Sequence, residues 1–190
     1  MYTIKKKNIN EIKKFLNSFS FIDYGVYKDG KVISGRELNS TIFSKYYKNL
    51  KPEQIIRYKC GVCWDTSHLI YLELTRCGFI CKEIYLEVNC PPEMPTHSFV
   101  CVNYDELWYI VEYSWFDHRG ISPPFETLEE IYNYYDIMMR NQINDKYQIH
   151  EIAFFDISGY RHPGYGLNCV NYMRLAKRKI LNYNTNYLMR

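Results

Sequence analysis

Apolar positions recur with helical spacing at Ile9, Ile12, Phe15 and Leu16, with Lys13 and Lys14 opposite, predicting a short amphipathic helix over Ile9 to Phe19. Phe21 to Tyr27, then Asp29-Gly30, then Lys31 to Ser34 predicts a hairpin, because Asp-Gly supplies the positive φ of a tight turn. Ser40 to Tyr47 is aromatic without clear period and reads as an irregular segment laid over the core. Pro52-Glu53-Gln54 suits a first helical turn that carries Ile55 and Ile56 toward a loop at Cys60. A helix is predicted from Trp64 to Cys77, with Asp65 in its first turn, Arg76 in its last and Gly78 closing it. Cys63, Ser67, Ile70, Leu74 and Cys77 share one stripe, and Leu69, Tyr71 and Leu72 widen it, so this helix is expected to be covered on more than one side.

Beyond it the period changes to two. Ile84, Leu86 and Val88 alternate within a strand over Ile80 to Val88, and the prolines of Cys90 to Pro95 then force a loop. His97 to Val102 and Leu107 to Tyr113 read as paired strands. With Tyr104-Asp105 as a two-residue turn, Cys101 faces Trp108, Phe99 faces Ile110 and His97 faces Glu112. Thr127 with Glu130 three residues on starts a helix whose apolar face is Leu128, Ile131, Tyr134, Tyr135 and Met138. A strand over Gln148 to Ile157, a loop over Ser158 to Gly166 and a basic helix from about Leu167 to Leu181 complete the chain.

The chemistry-bearing residues fall at the ends of these elements. Cys63 sits where a loop enters a helix, and helix N-terminal amides favour the negative charge of a thiolate. His97 follows 34 residues later and Glu112 another 15. A thiol nucleophile needs a base that later serves as an acid, which histidine supplies, and a carboxylate that fixes the imidazole tautomer. The Cys63 backbone N–H is placed to donate to an oxyanion. The bland alternatives are a buried structural thiol, a plain strand histidine, and a Glu112 that pairs with Arg119.

Composition narrows the setting. A length of 190 residues, 47% hydrophobic and 24% charged, fits one folded domain over 1–190. A formal charge of +3 with dispersed basic residues does not argue for nucleic acid, and the run from Arg174 to Lys179 reads as a solvated helix face. Lys5, Lys6 and Lys7 have no apolar stretch behind them, and no apolar run reaches membrane-spanning length, so neither a leader nor a membrane partner is expected. Seven unevenly spaced cysteines suggest reduced thiols in a cytoplasm.

Three stretches resemble the boxes of the transglutaminase-like superfamily, and more closely the bacterial, Firmicutes-type transglutaminase-like proteins. They are Gly61-Val62-Cys63-Trp64-Asp65, Pro95-Thr96-His97-Ser98-Phe99, and Trp108-Tyr109-Ile110-Val111-Glu112-Tyr113-Ser114-Trp115. The resemblance extends to a hairpin like Tyr24 to Val32 before the first box and to Phe116-Asp117-His118-Arg119-Gly120-Ile121 after the third. It covers about residues 20–140, with a C-terminal strand and helix in 148–190. It implies an α+β, papain-like core in which a helix carrying the cysteine meets an antiparallel sheet carrying histidine and acid. It also implies hydrolysis or transfer at a peptide or protein amide through a thioester, with catalytic Cys63, His97 and Glu112 and no cofactor. The superfamily usually has Asp at the third position, where this chain has Glu112; Asp117 is the reserve candidate.

Two other classes stay open at this point. Cys60-Gly61-Val62-Cys63 is a Cys-x-x-Cys pair at a helix start, as in thiol–disulfide redox proteins, although the approach from Pro52 to Tyr58 looks helical and His97 with Glu112 would then lack a purpose. A non-catalytic binding module on the same fold is the other. Zinc held by Cys60 and Cys63 would need a second pair such as Cys77 and Cys81, and Cys77 belongs to the buried stripe, so no metal ligand set is expected.

Overall fold

The computed structural model describes residues 2–143 and 147–181; residues 182–190 of the expected domain lie outside the described residues. The chain runs α1 (Ile9–Asn17), β1 (Asp23–Lys28), β2 (Lys31–Ser34), α2 (Ser40–Tyr46), α3 (Pro52–Tyr58), β3 (Cys60–Gly61) and α4 (Cys63–Arg76). It continues through β4 (Ile80–Asn89), β5 (Thr96–Tyr104), β6 (Leu107–Glu112), β7 (Gly120–Ile121), α5 (Leu128–Ile143), β8 (Glu151–Asp156) and α6 (Cys169–Leu181). Among the described residues two sheets form, a small one in the order β2-β1-β3 and a five-stranded antiparallel one in the order β7-β6-β5-β4-β8. The architecture is therefore mixed α+β with antiparallel pairing in the main sheet. Among the described residues no helix is long and apolar enough to cross a membrane.

Strand alternation divides the core between the two faces of the main sheet. Val100, Val102 and Val111 point toward Ile70 and Leu74 of α4 and Ile12 and Phe15 of α1. Ile84, Leu86, Phe99, Cys101 and Ile110 point to the other face, where Ile131, Tyr135 and Met139 of α5 cover them. A third cluster gathers Trp64 at the start of α4 with Tyr47, Tyr85 and Tyr172, and the Tyr172 ring stacks on Trp64 at 4.6 Å. Every residue from Cys60 to Tyr71 is buried. The helix that carries Cys63 is thus held on all sides along its first half, as the wide apolar surface implied.

Several local expectations are revised. The β5–β6 turn falls on Asp105-Glu106, both at positive φ (54 and 64), rather than on Tyr104-Asp105. Tyr104 pairs with Leu107, Cys101 with Ile110 and Val100 with Val111. Tyr104 packs against the core, so keeping this aromatic residue in the strand favours the later turn. The shift moves every pair by two positions, which leaves each side chain on the face the sequence assigned it. Ser40–Tyr46 is helical rather than irregular, because Asn39 Oδ1 caps it by accepting from Ile42 N–H at 2.9 Å. Cys60–Gly61 is a short strand parallel to β1 rather than a loop, with Asp23 opposite Cys60 and Tyr24 opposite Gly61. The helix after it starts at Cys63, one residue earlier than expected.

Leu74 is fully buried where α4, α1 and β5 meet. Leu74→Ala is expected to destabilise the protein by about 2–5 kcal/mol, read as a lower urea midpoint with an unchanged slope.

Candidate active site

Asp65 sets the geometry of the α4 N-terminus. Its Oδ2 accepts from Val62 N–H at 2.9 Å, and its Oδ1 from Leu50 N–H at 2.8 Å and from the Tyr47 hydroxyl at 3.2 Å. Burial is the main reason the Asp65 carboxyl is pushed up to about 6, against the pull of these donors. Gly61 leaves space for that side chain, since a Cβ there would lie 3.0 Å from Asp65 Cβ. Cys63 is consequently the first helical residue, 6% exposed, with its backbone N–H among the unpaired donors of the first turn. One turn on, Thr66 Oγ1 lies 2.7 Å from Ser114 Oγ, which ties the start of α4 to the chain just past β6.

That same stretch past β6 fixes Glu112. Its Oε1 accepts from three successive backbone N–H groups, Tyr113 at 2.9 Å, Ser114 at 2.8 Å and Trp115 at 3.2 Å. Its Oε2 accepts from the Tyr135 hydroxyl at 3.1 Å and lies 2.6 Å from His97 Nε2. His97 and Glu112 are both buried, and Trp115 meets the imidazole edge-on at 5.3 Å. Nε2 is committed to Glu112, which leaves Nδ1 as the other ring nitrogen, and the Cys63 side chain is among the groups that raise the imidazole.

The electrostatics agree from both partners. Burial would drive the His97 imidazole down, but the Glu112 charge and the hydrogen bonds to Cys63 and Glu112 outweigh it and hold it well above its ordinary value. Burial would likewise drive Glu112 up, yet the His97 charge and hydrogen bond, with the Trp115 and Ser114 amides, hold it below. Both shifts favour the charged form of the pair, an imidazolium facing a carboxylate.

The structure therefore brings Cys63, His97 and Glu112 together, by a route that differs from the expected one. In the observed register Glu112 is level with Phe99, and it reaches His97 along the diagonal between strands. A diagonal span favours the longer arm, which gives a physical reason for glutamate here. Asp117, the reserve candidate, is exposed in the turn Phe116–His118 and takes no part in this pairing. Arg119 does not pair with Glu112: its Nε donates to Tyr113 O at 2.6 Å and its guanidinium lies over the Tyr113 ring at 4.0 Å.

The remaining thiols sit apart from this arrangement. All seven cysteines are free. Burial pushes Cys60 up to about 12, with the Asp65 and Asp23 charges adding to it, which disfavours a reactive dithiol with Cys63. Cys81 is likewise pushed up to about 12 by burial, and Cys101 well above its ordinary value.

Two residues of the site carried no signal in the sequence. Tyr135 read only as part of an apolar helix face, and it orients Glu112. Tyr24 lies opposite Gly61 on β1, with its ring against Gly35 and edge-on to Phe116 at 6.5 Å. Burial holds its phenol above the ordinary range, and the charges of Cys63, Asp65 and Glu112 add to that, so Tyr24 keeps its proton beside the site.

Comparison with known proteins adds little. No family model matches the chain, and no curated protein matches it. Among solved structures it is similar to arylamine N-acetyltransferase C from Bacillus anthracis, with a TM-score of 0.39 and 17% identity over 58% of this chain. The match spans 43% of that protein.

The His97–Glu112 interaction is complete between the ordinary glutamate and histidine values, roughly pH 4.3–6.5. It weakens as pH falls through the lowered Glu112 value or rises through the raised His97 value. Iodoacetamide labelling, read per cysteine by mass spectrometry, should find Cys63 the fastest thiol at pH 6. Glu112→Asp should slow that labelling about tenfold or more by withdrawing the carboxylate from Nε2. An unchanged rate would show that the diagonal reach is not required.

Proposed function

We propose that this protein is a cysteine-dependent acyl-transfer enzyme that attacks peptide or protein amides and holds the acyl group on Cys63 as a thioester. The observation that carries this reading is a buried imidazole 2.6 Å from a buried carboxylate, with a thiol at a helix start near enough to help raise the imidazole above its ordinary value.

In the proposed sequence Cys63 Sγ, its proton held by His97, attacks the amide carbonyl carbon and a C–S bond forms. The oxygen takes the negative charge, accepting from the Cys63 N–H and the Tyr24 hydroxyl. On collapse the C–N bond breaks, and the leaving nitrogen takes the His97 proton. Water or an amine then attacks the thioester, passing its proton to His97, and the sulfur departs. Glu112 stays ionised throughout and steadies the imidazolium, while Tyr135 and the three amides keep it in place. No step requires a cofactor. The same reading carries the α+β, papain-like assignment that the sequence resemblance implied.

The probe of choice is p-nitrophenyl acetate, a small activated acyl donor. It should release p-nitrophenol and leave an acetyl group on Cys63. Cys63→Ala should abolish both, and His97→Ala should slow acylation about 10²-fold or more. Tyr24→Phe should slow acylation about 10²-fold while leaving iodoacetamide alkylation unchanged, because alkylation builds no oxyanion. Acetylation of Cys63 no faster than that of the half-buried Cys77 would overturn the enzyme reading in favour of a binding module.

A further inference from the structure

The C-terminal part of the chain is charged differently from the rest. No Asp or Glu follows Asp156, whereas Arg161, Arg174, Lys177, Arg178, Lys179 and Arg190 do, in a chain whose formal charge is +3. An asymmetry of this kind points to an acidic partner. The residues of α6 divide by face. Cys169, Tyr172 and Ala176 are buried in the cluster that also holds Cys63 and Trp64. Val170, Arg174 and Arg178 recur at four-residue spacing on another side, and all three are exposed.

The loop between β4 and β5 lies against that side. Met94 of the loop, with Val170, Met173, Arg174, Lys177 and Arg178 of α6, lines an open groove of about 440 Å³. That volume falls within the roughly 300–1,000 Å³ of ligand clefts. The lining surface is chiefly apolar, so the basic residues contribute their methylene stems to it and carry their charge outward. Lys177 Nζ lies 2.5 Å from Glu87 Oε1, and Arg174 donates to Asn171 Oδ1 at 3.2 Å. Set against the three cations are Glu87, nearly buried, and Glu93 of the loop.

These features fix the chemistry of an occupant. The cations suit acidic groups, and the apolar surface between them suits an apolar side chain, to which methionines adapt. A recess between a helix and a loop is not a shape that a flat bilayer follows. Among the described residues no aromatic ring lines it on which a nucleic-acid base could stack. Residues 182–190 contain no acid, so the end of the chain itself does not match the charge.

We propose that this groove docks an acidic peptide segment. An apolar side chain of the peptide packs on Met94, Val170 and Met173 while flanking carboxylates meet Arg174, Lys177 and Arg178. The groove borders both halves of the candidate active site. Met173 packs against the cluster that contains Cys63, and Met94 precedes His97 by three residues. Glu87, the partner of Lys177, is level with Thr96, the neighbour of His97. That the docked peptide is the acyl donor rests on the acyl-transfer reading; the docking itself does not.

The test uses the full chain carrying Cys63→Ala and a fluorescein-labelled peptide with one leucine between two pairs of glutamates, followed by anisotropy. Binding should be saturable and should weaken as salt is raised. It should fall about tenfold or more when glycine replaces the leucine or lysines replace the glutamates. Arg174→Glu combined with Arg178→Glu should weaken it about tenfold or more, with circular dichroism confirming the fold. Should that variant fail to fold, Val170→Glu, which sets a like charge in the groove, decides by the same loss. In the chain that keeps Cys63, the paired arginine substitutions should leave acylation by p-nitrophenyl acetate unchanged, since that donor carries no acidic segment. Failure of that acylation therefore removes the enzyme reading and leaves the docking to be judged by anisotropy. Absence of saturable binding, equal affinity for the glycine or lysine peptide, or unchanged affinity in a folded variant would overturn the proposal. Displacement of the peptide by phosphatidylserine vesicles or an oligothymidine strand as readily as by unlabelled peptide would overturn it too.

Discussion

The buried ion pair between His97 and Glu112 is the constraint around which the rest of this structure is arranged. Taking a carboxylate and an imidazolium out of water costs several kcal/mol per ion unless nearly every lone pair and proton is answered. Glu112 is answered completely, by three amides, a phenol and the imidazole. Apart from the imidazole, which lies on β5, those donors come from two places. The amides come from the chain as it leaves β6, and the phenol comes from α5 on the far face of the sheet. Moving either element would strand a buried charge, so the position of the hairpin and the docking of α5 are coupled through one carboxylate.

The other half of the site rests on a second buried carboxylate. Asp65 gathers Val62 N–H, Leu50 N–H and the Tyr47 hydroxyl, and in doing so sets where α4 begins. Cys63 owes its place on the first turn to that start. The contact between Thr66 and Ser114 joins the two halves, because Ser114 also donates its amide to Glu112. A short polar chain thus runs from the carboxylate past the helix that carries Cys63 without passing through the thiol. It offers a rigid frame in which the sulfur and the imidazole meet, as a preorganised site requires.

Polar groups are used in the same way farther along α4, at His68. There too a strand carboxylate, Glu83 of β4, binds an imidazole, and Tyr165 completes the set. The difference lies in the surroundings. Glu112 has backbone amides to share its charge, whereas Glu83 has Ser67 Oγ at 3.4 Å and the His68 ring. One carboxylate is consequently held below its ordinary range and the other above it, although both are buried. Burial alone therefore does not decide the state of an interior acid; the number of donors aimed at it does.

Local patterning determined the elements themselves. Amphipathic spacing marked α1 and α4, alternation marked β4, β5 and β6, and the thiol, imidazole and carboxylate could be picked out at the ends of those elements. Parity also survived: a register error of two residues left His97 and Glu112 on one face, because side chains alternate with a period of two. The resemblance of the three boxes to transglutaminase-like proteins pointed to the same residues. Tertiary structure decided what no short window contains. It placed the turn on Asp105-Glu106, made Glu112 rather than Asp117 the partner of His97, brought Tyr135 and Tyr24 to the site, and set Met94 beside the basic side of α6. Contacts between residues remote along the chain depend on where whole elements dock, and docking follows from packing the entire core.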